Sequence, residues 1–136
     1  MLQPDNKVRN EGISRTTGGF SLPKDHTAPS GIDLNRQLMI HPNSTFVFRV
    51  NSDAMKGIGI NKGDTVLVDR AIVPKHDQIV LAVVDEEYLV RRFYASHDTV
   101  KLLPENSRYQ AITQREDREI IVWGVVVTVI RKLIGG

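Results

Sequence analysis

From Thr45 to Ile130 the chain is a succession of short runs rich in Val, Ile, Leu and Phe, each cut off by Gly, Asp, Asn or Pro. β-Branched and aromatic side chains suit a pleated, half-buried surface, and runs this short leave little room for amphipathic helices. Phe46, Phe48 and Val50 alternate with Val47, Arg49 and Asn51, the pattern of a strand with one face better buried. Thr65 to Val68 follows the turn Asn61-Lys62-Gly63-Asp64. Ile79 to Val84 and Tyr88 to Phe93 flank Asp85-Glu86-Glu87, which predicts a hairpin. Val100 to Leu103 is closed by Pro104, and Ile120 to Ile130 forms the longest run, with Gly124 as a bend or bulge. Trp123, inside that run, is expected to pack in the core rather than serve a partner. Helix is predicted only over Asp33 to Met39, with Asp33 or Ser30 as cap and His41-Pro42 as stop. The expectation is a mainly β domain of twisted, mostly antiparallel strands.

The 136 residues suit one compact domain with a tail. Residues 1–30 are polar and rich in Gly, Pro, Ser and Thr, and are read as an extended arm ahead of a core over residues 31–136. Net charge is +2, with Lys and Arg scattered among Asp and Glu, so no basic stripe for direct nucleic-acid binding is expected. Cysteine is absent, which removes disulfides, thiolate metal sites and a thiol nucleophile, and fits a cytoplasmic protein. The N-terminus has no signal-like apolar run, and Ile120 to Ile130 falls short of the roughly 20 residues a membrane helix needs. His26, His41, His76 and His97 are dispersed, so no metal is expected. Asp69 and Asp85 are isolated acids and make no catalytic pair. Gly57, Gly59 and Gly63 match neither the Walker nor the Rossmann pattern and read as turn glycines, so no cofactor is expected.

Three segments carry a more specific signal. Phe48 to Asp64 contains Ser52-Asp53-Ala54-Met55 followed by Gly59-Ile60-Asn61-Lys62-Gly63-Asp64. Tyr88-Leu89-Val90-Arg91-Arg92-Phe93 comes next, and then Leu102-Leu103-Pro104-Glu105-Asn106-Ser107-Arg108-Tyr109. In content, order and spacing these resemble the LexA/UmuD self-cleaving serine peptidases of the S24 family. Upstream, Gly19-Phe20-Ser21-Leu22-Pro23 and His41-Pro42-Asn43-Ser44-Thr45 are similar to the UmuD-like members, and residues 1–30 leave no room for the winged DNA-binding domain of LexA. The resemblance implies a LexA-like β-ribbon core acting as a homodimer in the DNA-damage (SOS) response. It also implies a RecA filament and an UmuC-type translesion polymerase as partners.

The same resemblance puts the family's nucleophilic Ser at Ala54 and its base Lys at Arg91, with Ser52, Met55, Asn106 and Ser107 as groove neighbours. A serine becomes nucleophilic only with a base in hydrogen-bond reach. Ala54 offers a methyl group, and Arg91 keeps its proton at physiological pH. Self-cleavage through this dyad is therefore expected to be lost. Ser52 shares a face with Ala54 on an extended backbone, yet misplacement by about 1 Å already costs roughly a hundredfold. The bond matching the family's cleavage site is Gly18–Gly19. Two alternatives remain: an autopeptidase whose nucleophile was changed to Ala, and a LexA-type regulator without its DNA-binding part. A naturally non-cleaving paralogue accounts for both replacements at once.

Overall fold

A computed structural model of the chain describes residues 32–135. The arm expected over residues 1–30, with Gly18 and Gly19, lies outside them. The chain divides into two compact units at Pro42/Asn43.

In the first unit, the described residues carry one short helix, α1 (Leu34–Gln37). Asp33 caps it: its carboxylate accepts from the backbone N–H of Asn35 at 3.0 Å and of Arg36 at 3.4 Å. The helix is shorter than the sequence pattern suggested. Met39 takes a left-handed backbone with φ of 63°, which ends the helix before His41-Pro42 is reached.

The second unit is built on one antiparallel sheet. Its strands are β1 (Thr45–Arg49), β2 (Thr65–Asp69), β3 (Ile79–Val84), β4 (Glu87–Ser96), β5 (Thr99–Leu103), β6 (Ile112–Thr113) and β7 (Ile120–Ile130). Their spatial order is β1-β2-β7-β3-β4-β5-β6. The mainly antiparallel β architecture agrees with the reading of the sequence. β6, too short and polar to give an alternating signal, was not foreseen. Glu87 belongs to β4 rather than to the turn, so Asp85 and Glu86 alone connect β3 to β4, with φ of 52° and 68°. Positive φ at both central residues makes a type I′ turn, whose twist matches the twist of the strands.

β7 lies between β2 and β3 and is bulged against both, since Leu67 and Val68 face Thr128 and Val126 while Leu81 and Ala82 face Gly124 and Val122. Val127 and Trp123 are therefore the extra residues. Gly124, expected as the bend or bulge itself, stays paired opposite Leu81 beside the bulged Trp123 and serves a close approach instead. A Cβ there would stand 2.6 Å from Val68 Cγ1 and 3.1 Å from the Asp69 carbonyl oxygen, so only glycine permits this approach.

Alternation along the strands sends side chains to two separate cores. One gathers Val66, Val68, Leu81 and Val90 beneath Val50, Met55 and Ile60 of the β1–β2 connection. The other gathers Val80, Ala82, Val84, Leu89, Leu102, Ile120 and Val125. Trp123 is only half-buried. It touches the first core and also heads an aromatic cluster, 5.2 Å from Phe46 and 6.5 Å from Tyr88, with the Arg70 guanidinium 4.1 Å over its ring. The bulge explains this, because the extra residue turns out of the ladder. No helix among the described residues is long and apolar enough to cross a membrane.

Candidate functional site

The site is assembled from the long connection between β1 and β2, closed at its base by two backbone bonds. Val50 N–H donates to the Asp64 carbonyl and Gly63 N–H to the Val50 carbonyl, both at 2.8 Å. Asn61 N–H donates to the buried Asp64 carboxylate at 2.7 Å. Arg131, past the end of β7, forks onto the same carboxylate, with Nε at 2.8 Å and Nη2 at 2.6 Å. This pairing holds the Asp64 carboxyl below its ordinary pKa, burial acting the other way.

Within the connection, a 3-10 turn over Lys56–Ile58 ends at Gly59, whose φ of 89° favours glycine. Met55 is buried in the first core and carries this turn with it. Ala54 is fully buried at 0% exposure. Its N–H donates to Ser52 Oγ at 3.3 Å, and its carbonyl accepts from Glu105 N–H at 2.7 Å. Ser52 thus bonds the backbone two residues on, the ordinary habit of a turn serine.

The segment after β5 locks onto this loop. Gly57 N–H donates to the Glu105 carbonyl at 2.8 Å, and Asn106 Nδ2 donates to the Asp53 carbonyl at 2.9 Å. Asn106 also closes its own turn, accepting from Arg108 N–H at its side chain and from Tyr109 N–H at its carbonyl, each at 3.0 Å. Ser107 sits exposed in that turn. Between Asp53, Lys56 and Gly57 on one side and Glu105, Asn106, Arg108 and Tyr109 on the other lies a cavity of about 500 Å³.

Arg91 reaches this region from β4. Its Cα partner across the ladder is Val80, so it leaves the strand on the second core's side while Val90 points to the first. Only 6% of Arg91 is exposed. Nη1 donates to the Val90 carbonyl at 2.9 Å, and the guanidinium lies 5.6 Å from the centre of the Tyr109 ring. Nε, fully buried, has no partner among the described residues. Desolvation lowers the Arg91 pKa, opposed by the charges of Tyr109 and Glu87, and an arginine remains protonated under such conditions. The neighbouring Arg92 is paired, its Nε 2.9 Å from Glu105 Oε2.

Ala54, Ser52, Met55 and Asn106 are therefore brought into one hydrogen-bonded unit. Arg91 approaches it through Tyr109 and has no hydrogen bond to Ala54. Glu105 and Tyr109 join the site without having been singled out, although both lie in the run Leu102 to Tyr109 that carries the resemblance. Arg131 gave no signal, because its partner Asp64 is 67 residues away.

Comparison with known proteins decides the family. The model of Peptidase S24-like proteins matches residues 12–127. This chain belongs to the Peptidase S24-like family. Protein ImpA of Salmonella typhimurium is 30% identical over 129 residues, covering 94% of this chain and 87% of ImpA. Protein SamA of Salmonella typhimurium strain LT2 is 33% identical over 118 residues, 87% of this chain and 81% of SamA. The LexA repressor of Shewanella woodyi is 37% identical over 94 residues, but these span only 46% of LexA. Within the S24-like family the chain is thus UmuD-like, matched by ImpA and SamA over most of its length and by LexA over a shared part.

Proposed function

We propose that this protein is a non-cleaving, UmuD-like accessory of the DNA-damage (SOS) response. It acts as a homodimer through protein contacts, with an UmuC-type translesion polymerase and a RecA filament as partners. The observation that carries the silent reading is Ala54, the position given to the family's nucleophile. It holds a fully buried methyl whose backbone N–H and carbonyl are both bonded. Nothing at that position can attack a carbonyl. Arg91, given to the family's base, keeps its proton and cannot accept another. Ser52, the nearest hydroxyl along the sequence, accepts the Ala54 N–H and serves the turn.

The test is incubation of the full chain at alkaline pH, followed by intact mass measurement. No product is expected. A fragment cut at Gly18–Gly19 would refute the silent reading. The double substitution Ala54→Ser with Arg91→Lys supplies the missing hydroxyl and a base that can be neutral when buried. Its cutting at Gly18–Gly19 would mean that only the dyad was lost, whereas continued inertness would mean that the surrounding groove has changed as well. The dimer is read separately, by sedimentation of the full chain: a monomer at micromolar concentration would remove that part.

A further inference from the structure

β4 is longer than the strand it pairs with. β3 begins at Ile79, opposite Arg92, whereas β4 runs on to Ser96. On this overhang Phe93 and Ala95, two residues apart, aim their backbone groups at the same side, the side on which β3 lies. Phe93 is closed by backbone: its N–H donates to the Gln78 carbonyl, and its carbonyl accepts from Asp77 N–H, both at 2.8 Å. The backbone of Asp77 is left-handed, with φ of 77°, and among the described residues no residue before it makes a backbone bond to β4.

Ala95 is closed by a side chain instead. Its N–H donates to His76 Nδ1 at 3.1 Å. An imidazole ring thus stands in for the strand that is missing there, at an edge otherwise open to pairing with another chain. The bond fixes the state of the ring. Nδ1 accepts only while it carries no proton, since both nitrogens of an imidazolium are donors. A proton on Nδ1 would set one N–H against another.

The ring is placed to take up that proton. Its side chain is 47% exposed, so solvent reaches it, and Nε2 lies 3.5 Å from Asp77 Oδ1 on its own segment. On β4 the ring meets Tyr94 edge to face, with centroids 5.0 Å apart. From β5 the Lys101 ammonium stands 5.7 Å from the centre of that same Tyr94 ring. Arg92 of β4 is tied through Nη1 to the Asp77 carbonyl at 2.8 Å. A protonated His76 would therefore keep one partner, the Asp77 carboxylate, and lose the other, the Ala95 N–H.

We propose that His76 is a proton-operated latch on the overhanging end of β4. Neutral, it caps Ala95 N–H and holds the segment before β3 against the β4–β5 hairpin. Protonated, it lets that N–H go and uncovers the strand edge at Ala95, while the backbone bonds at Phe93 stay made. The latch involves neither Ala54 nor Arg91, so it stands or falls apart from the silent reading.

The test is amide exchange, followed residue by residue by NMR on the full chain labelled with nitrogen-15. Each rate is compared with that of an unstructured amide at the same pH. Between about pH 8 and about pH 5, where an ordinary imidazole changes charge, protection of Ala95 N–H should fall roughly fivefold or more. The fall should track the His76 ring resonance, while Phe93 N–H keeps its protection. His76→Asn places an amide oxygen where Nδ1 stands and accepts at any pH, so Ala95 should stay protected throughout. His76→Phe keeps the ring without the acceptor, and should leave Ala95 unprotected throughout. Constant protection of Ala95 in the unaltered protein, an equal loss in His76→Asn, or a parallel loss at Phe93 would overturn the proposal.

Discussion

The two positions that the family resemblance assigns to catalysis have ended in opposite physical states. Ala54 is apolar, fully buried and bonded through both its backbone groups. Arg91 is charged, nearly as buried, and keeps an Nε–H with no acceptor among the described residues. Losing a nucleophile leaves no trace in the energetics of its loop, since a methyl in a close-packed pocket is at ease. Replacing a base with an arginine leaves a charge in a poorly solvated place, and a charge asks for a partner. Idleness of the first position therefore teaches nothing about the second.

Substitutions can break that contrast. The largest loss should come from Gly57→Ala, because the added Cβ runs into the Glu105 carbonyl that Gly57 itself bonds. Backbone cannot yield as a flexible side chain can, so about 2–3 kcal/mol is expected, read as a lowered urea midpoint. A smaller effect would mean that the Ala54 loop is less tightly fixed than its bonds indicate.

Asp64→Ala should cost about 1–3 kcal/mol, since it strips the acceptor from Asn61 N–H and from Arg131 at the base of the loop. Its effect has a pH signature. The folded-state pKa of Asp64 is depressed, so its contribution is present above the unfolded-state value of about 4 and fades as pH falls through the lower folded value. Wild type and variant should then converge in melting temperature on acidification. A gap that stays constant down to strongly acid pH would contradict this.

Asn106→Ala removes one bond to the Asp53 carbonyl and one from Arg108 N–H, and should cost about 1 kcal/mol, or roughly 4–8 °C in melting temperature. Arg91→Met reverses the sign. With no ion pair among the described residues to lose and a buried charge removed, stability should hold or rise, and a fall of more than about 4 °C would place Arg91 with the structural residues. Ser52→Ala is expected to change stability by no more than about 0.5 kcal/mol, because its bond to Ala54 N–H is long at 3.3 Å.

Much of this fold was legible because strand formation is written locally. Runs such as Ile79 to Val84 and Ile120 to Ile130 have the side chains and the alternation a buried strand needs, and the type I′ turn at Asp85-Glu86 falls between two of them. The bulge beside Gly124 was announced by a glycine in an otherwise β-branched run. What resisted reading was whatever depends on distant partners. Trp123 looked like core, yet it is the bulged residue, and register against β3 turns it toward Phe46 and Arg70. α1 ends where Met39 turns left-handed, ahead of the proline that seemed to set its limit.

The amino-acid sequence alone determined that this chain would be β-rich and that a methyl and a guanidinium occupy Ala54 and Arg91, because side-chain chemistry and short-range periodicity are properties of each residue and its neighbours. Only the tertiary structure decided that Ala54 is sealed by Glu105 and that Arg131 clamps Asp64. It alone also decided that Arg91 Nε, without a partner among the described residues, is buried and that its guanidinium lies over Tyr109. Burial and pairing are set by segments far apart in the chain, and no local pattern encodes which of them will meet.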